Sequence, residues 1–105
     1  MNKPLDKNLL LFRKRIKQRL GGNLIKIILF GSRARGEGDK YSDYDCLLLL
    51  KRNNSMVKAA ILDIEGKMLY ENNAVFSAFP MTKKDIKIRK YEPFFINANK
   101  EGIAI

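Results

Sequence analysis

Apolar residues recur along this chain with two different periods. Leu5, Leu9, Phe12, Ile16 and Leu20 come at steps of three and four, with Lys and Arg between them. That spacing is the stripe of an amphipathic helix. A helix is therefore expected over residues 4–20, with Pro4 in its first turn and Gly21-Gly22 as its stop. Residues 24–30 are then almost continuously Ile and Leu, interrupted by Lys26. A run apolar on both faces predicts a central strand covered by helices. A second strand is expected over residues 43–50 and a turn over 51–54. Val57, Ile61, Ile64 and Met68 mark a helix over 55–71, with Ser55 as its N-cap. Residues 72–80 read as a third strand, ended by Pro80. Thr82-Lys83-Lys84-Asp85 has the form of a capping box opening a short basic helix. Pro93 interrupts that helix, and a last helix or turn runs through Lys100.

The order is helix, strand, strand, helix, strand, helical tail. It predicts an α/β (α+β) fold, a small mixed β-sheet flanked by helices. At 105 residues with 46% apolar content, residues 1–105 are expected to form a single domain with a modest core. No apolar run approaches the roughly 18 residues of a membrane span, and Arg13, Lys14, Arg15 and Lys17 break any signal-peptide pattern. The expectation is a cytoplasmic protein with no membrane partner. Cys46 is the single cysteine, so no internal disulfide can form. Its apolar neighbours predict a small buried hydrophobe rather than a reactive thiol. The absence of histidine excludes Ser-His-Asp triads, His-based zinc sites and any His general base. A net charge of +10 favours polyanionic partners such as nucleotides, nucleic acid or an acidic protein face.

The chemistry concentrates between the first two strands, in Gly31-Ser32-Arg33-Ala34-Arg35-Gly36-Glu37-Gly38-Asp39-Lys40-Tyr41-Ser42-Asp43-Tyr44-Asp45. On a strand Asp43 and Asp45 share one face, while Tyr44 points to the other. Two carboxylates on one face repel unless a cation lies between them. Mg²⁺ suits that place, because it binds through one or two carboxylates together with substrate phosphates. The Gly-Ser turn offers the other half, backbone N–H groups and a hydroxyl for phosphate oxygens. Together they suggest metal-assisted transfer from a nucleoside triphosphate.

Ten residues separate Ser32 from Asp43, giving G-S-x10-D-x-D. This pattern resembles the nucleotidyltransferase superfamily of DNA polymerase β. The wording Gly31-Ser32-Arg33-Ala34-Arg35-Gly36, and the tail from Glu92-Pro93-Phe94-Phe95-Ile96-Asn97 to Glu101-Gly102-Ile103, resemble its minimal nucleotidyltransferase (MNT) branch. The resemblance implies ATP as donor, Gly31 and Ser32 on the β- and γ-phosphates, and Asp43 and Asp45 as Mg²⁺ ligands and catalytic acids. Small MNT proteins often act as antitoxins that adenylylate a tyrosine of a partner HEPN-type toxin, so such a protein partner is expected here. A short chain also needs a partner for the second wall of its site. Arg33 is a candidate phosphate clamp, since a guanidinium grips phosphate in a bidentate way that Lys cannot. Arg35 is as well suited to pairing with Glu37 or Asp39. Tyr41 and Tyr44 are candidates for stacking on a base, with packing the better reading for Tyr44; Ser42 is expected to order the loop.

One departure from the superfamily pattern matters. Active members usually carry another carboxylate on a later strand, where it ligates a metal and activates the acceptor hydroxyl. The third strand here holds Asn73 and Ser77 but no acid. Glu71 lies just upstream, and Asp63 and Glu65 diverge on a helix. The alternative is therefore a catalytically weak or inactive nucleotide-binding antitoxin. Direct nucleic-acid binding is disfavoured, since no stacking platform or recognition motif accompanies the charge. A small sheet with an exposed edge is expected to be covered by a second copy or by a partner.

Overall fold

The computed structural model describes residues 5–37 and 42–105. The expectations placed on Pro4, Asp39 and Tyr41 lie outside the described residues. The first helix, α1, spans Lys7–Leu20. Asp6 is its N-cap, accepting the Leu9 N–H at 2.8 Å, and Gly21 ends it with φ 54°. Leu9, Phe12 and Ile16 are buried along its inner stripe, each contributing roughly 1.5–3 kcal/mol of apolar burial. A short 3₁₀ turn leads into β1, Leu24–Phe30. One helical turn, α2, spans Ser32–Arg35, and β2 spans Tyr44–Leu50. Helix α3, Ser55–Asn72, carries the chain across to β3, Phe76–Thr82. Two short helices follow, α4 at Lys83–Arg89 and α5 at Pro93–Glu101, then β4 at Ile103–Ala104.

The sheet order is β3-β2-β1-β4. β1 runs antiparallel to β2 and β4, whereas β2 and β3 are parallel. A parallel pair needs a long crossover, and α3 supplies it. The sheet is mixed and flanked by helices, as the pattern predicted. One face, carrying Tyr44, Cys46, Leu48 and Leu50 of β2, packs with Phe12 and Ile16 of α1 and Ile61, Ile64 and Met68 of α3. The opposite face carries Leu47 with Phe30 and Met81, covered by Phe95 and Ala98 of α5. Burial raises the Cys46 thiol far above its ordinary pKa, so it is inert packing. Among the described residues no helix is long and apolar enough to cross a membrane.

Several boundaries differ from the sequence expectation. Asn54, not Ser55, caps α3, because its extended backbone lets its side chain accept the Val57 N–H at 2.9 Å. The third strand starts later than expected, since Asn72 is still helical and Asn73 caps α3 with φ 52°. It also runs through Pro80 instead of ending there. β3 is the sheet's edge, where a residue without an N–H is tolerated. Its neighbours on the outer edge are satisfied separately. The Ala78 N–H donates to Glu65 at 2.8 Å and the Thr82 N–H to Asp85 at 3.0 Å. Two donors of this edge are thus taken by side chains of the same chain. The capping box at Thr82 and Asp85 is formed as predicted. Strand β4 had no counterpart in the sequence reading, because two residues are too few to show a period.

Candidate active site

Strand register alone assembles this site. Phe30 of β1 lies opposite Asp45 of β2, and Asp45 lies opposite Ser77 of β3. Gly31 therefore leaves β1 beside the Asp45 carboxylate. Its backbone takes φ 78° and ψ −162°, a conformation open essentially to glycine. A Cβ built there would fall 2.5 Å from Asp45 Oδ2. Only glycine lets the turn press against the acid in this way.

From Gly31 the chain enters α2, whose third and fourth amides, of Ala34 and Arg35, return to the Gly31 carbonyl. The amides of Ser32 and Arg33, first in the turn, have no acceptor within it. Buried Ala34 anchors the turn to the core, and Gly36 ends it with φ 76°. Asp43 is exposed and sits one residue before β2 rather than within it. Asp45 is half-buried, and its pKa is raised by that burial first and by the negative charge of Asp43 second. Among the described residues no cationic side chain is paired with either acid. Two neighbouring carboxylates, one partly desolvated and raised by the charge of the other, suit a divalent ion shared with phosphate oxygens. Among the described residues no third acid or cysteine joins them.

The two arginines point elsewhere. Arg33 donates from Nε and one terminal nitrogen to the Ser42 carbonyl, at 3.2 and 2.9 Å. Its guanidinium stacks 4.1 Å from the Tyr44 ring centroid and lies 3.7 Å from Asp6. The candidate phosphate clamp is thus on the Tyr44 side of the sheet, clipping Ser42 to α2. Tyr44 continues a column of rings, stacked at 4.3 Å on Phe76, which stacks at 4.1 Å on Phe12. Its hydroxyl donates to Asp6 at 2.6 Å. Packing is therefore its role here, in line with the alternation along β2. Arg35 is shared between Glu37 at 2.9 Å and Glu101 at 2.8 Å.

The remaining candidate acids are engaged away from the pair. Glu71 is bound to Arg15 at 2.6 Å, and Asp63 to Arg19 at 2.9 Å. Glu65 caps the β3 edge. Asn73 belongs to the α3 cap, leaving Ser77 as the β3 side chain in register with Asp45. One polar contact was not anticipated. Glu101, at the end of α5, accepts the Gly31 N–H at 3.1 Å while holding Arg35. Glu101 lies in the tail that resembles the MNT branch.

Residues 9–101 match the nucleotidyltransferase domain family. The chain belongs to that family. A candidate protein adenylyltransferase of Methanocaldococcus jannaschii is 33% identical over 89% of the chain, which spans 63% of that relative's length. Among solved structures, a toxin–antitoxin crystal structure with AMP-PNP superposes with TM-score 0.61 at 14% identity. That match covers 90% of this chain and 69% of the other. A tri-AMPylated Shewanella oneidensis HEPN toxin in complex with MNT antitoxin gives TM-score 0.53 at 15% identity, covering 92% and 70%. At such identities the likeness establishes the fold, a nucleotidyltransferase-like α/β domain.

Proposed function

We propose that this domain transfers AMP from ATP to a hydroxyl of a HEPN-type partner, as an antitoxin that modifies its toxin. The observation that carries the reading is the Gly31 turn pressed against Asp45, with the negative charge of Asp43 acting on the same carboxylate. The similarity to a candidate protein adenylyltransferase, and the fold shared with antitoxins from complexes with a nucleotide analogue and an AMPylated toxin, support the substrate and partner.

In this reading Asp43 and Asp45 hold Mg²⁺. When bound, that ion neutralises the triphosphate and assists the attacking and leaving oxygens of an in-line displacement. Gly31 gives the phosphates close approach, and the Ser32 hydroxyl and first-turn amides donate to their oxygens. The acceptor oxygen forms its bond to the α-phosphorus as the bond to the bridging oxygen breaks, and pyrophosphate leaves. Ser77, in register with Asp45, supplies a hydroxyl but no carboxylate. The proton of the acceptor therefore passes to water or to a base brought by the partner. Arg33 acts from behind, keeping Ser42 and so the start of β2 in place.

That same Ser77 position favours a second reading, in which the protein binds nucleotide and partner without transfer. Losing a positioned general base typically forfeits about 10²–10⁴-fold in rate. Transfer of label from α-labelled ATP with Mg²⁺ to a HEPN-type acceptor protein separates the two. Label on the partner, lost in Asp43→Ala/Asp45→Ala, is the expected result. A stable complex with intact nucleotide binding and no label would leave the binding antitoxin.

A further inference from the structure

We infer that Glu101 is a positioning residue for the Gly-Ser turn, a clasp that sets the peptide orientation on which nucleotide binding depends. The inference rests on the reading that Gly31 and Ser32 receive phosphate. Its starting point is a mismatch between the turn's freedom and its task. Gly31 has no side chain to fix its φ, yet a rotation there redirects the Ser32 hydroxyl and the amides that follow. An external acceptor on the Gly31 N–H removes that freedom. Glu101 Oε1 is such an acceptor at 3.1 Å, contributed from a point 70 residues away in sequence.

Glu101 is itself held from both sides. On its N-terminal side, buried Phe95 and Ala98 seat α5 on the sheet. After it, Gly102 donates to the Ala98 carbonyl at 2.8 Å, and a Cβ there would strike that carbonyl and the Ile28 side chain. Ile103 and Ala104 then pair with Leu29 and Ile28 of β1, the strand that ends in the Gly-Ser turn. The second carboxylate oxygen takes Arg35 at 2.8 Å. One carboxylate thus joins both ends of α2, its Gly31 cap and its last residue, to the C-terminal element. The bond to a neutral backbone amide is what a surface ion pair alone would not require.

The test compares the full chain with Glu101→Gln, Glu101→Ala and Arg35→Ala, each checked for native circular dichroism. Two readouts are used: the Gly31 amide, by proton shift and exchange in nuclear magnetic resonance, and the affinity for Mg²⁺ with ATP. Glu101→Ala is expected to lose Gly31 amide protection and to weaken ATP binding about tenfold, the scale of one charge-assisted hydrogen bond. Glu101→Gln, which keeps an acceptor oxygen, should shift the Gly31 proton and restore most of the affinity. Arg35→Ala should leave the Gly31 amide protected. Unchanged Gly31 signals in both Glu101 variants would overturn the inference. So would tighter ATP binding by Glu101→Ala, which would make the carboxylate a competitor for the phosphate site. If Glu101→Ala does not fold, the Gly31 shift in the isosteric Glu101→Gln decides alone. A wild-type chain that binds no ATP would sink the nucleotide reading, while the Gly31 amide would still decide the clasp.

Discussion

Successive residues of β2 serve two different faces of one sheet. Tyr44, Cys46, Leu48 and Leu50 enter the core between α1 and α3, and each is 3% exposed or less. Asp45, one residue along, faces the other way and carries a pKa raised by burial and by the charge of Asp43. The first face maximises packing, with a ring column from Phe12 to Tyr44 closed by Arg33. The second gives up stability at its end, where like charges face each other and glycine is held in a conformation other residues avoid. The rigid face is what holds the unfavourable one in shape, since close-packed interiors resist local relaxation. Strain and like charges collected at one sheet end are a common mark of function.

The contrast can be broken from either side. The largest effect is expected from Asp45→Asn, which should reduce AMP transfer by about 10³-fold or more, some 4 kcal/mol of barrier, without unfolding the chain. Labelled-ATP assays together with a thermal melt check both halves of that statement. On the packed face, Phe12→Ala should cost about 3–4 kcal/mol of stability through the cavity left in the ring column, measured by denaturant unfolding. Gly31→Ala lies between the two faces. Its Cβ would meet Asp45 Oδ2, and the positive φ adds strain, so about 1–2 kcal/mol should be lost together with affinity for Mg²⁺ and ATP. Isothermal calorimetry and melting of the same sample would show whether the two losses travel together. Tyr44→Phe removes the hydroxyl that donates to Asp6, expected to cost about 1 kcal/mol while the ring stack stays.

The smallest effect is a test of the Asp45 charge. Asp45 binds its proton more tightly folded than unfolded. Stability should therefore fall as pH rises from the ordinary aspartate range through the raised value. In metal-free buffer at neutral pH, Asp45→Asn should accordingly melt higher than the wild type. The difference should vanish below the ordinary aspartate range, and added Mg²⁺ should narrow it by stabilising the wild type alone. A lower melting temperature for the variant at neutral pH would show that Asp45 is held by a favourable contact instead.

The amino-acid sequence by itself determined the strand from Leu24 to Phe30, the helical stripes of α1 and α3, and the mixed α/β class. It also exposed the Gly31-Ser32 and Asp43/Asp45 constellation, because glycine, hydroxyl and paired acids at fixed spacing are local chemistry that needs no partner to be read. Only the tertiary structure decided which side chains meet across long separations. It turned Arg33 toward Tyr44 and Ser42, set Ser77 rather than an acid in register with Asp45, and carried β3 through Pro80 as an edge strand. It also brought Glu101 onto the Gly31 amide. Periodicity reports which face of an element is apolar. Register, edge position and contacts 70 residues apart depend on how those faces pack, and no single segment encodes that.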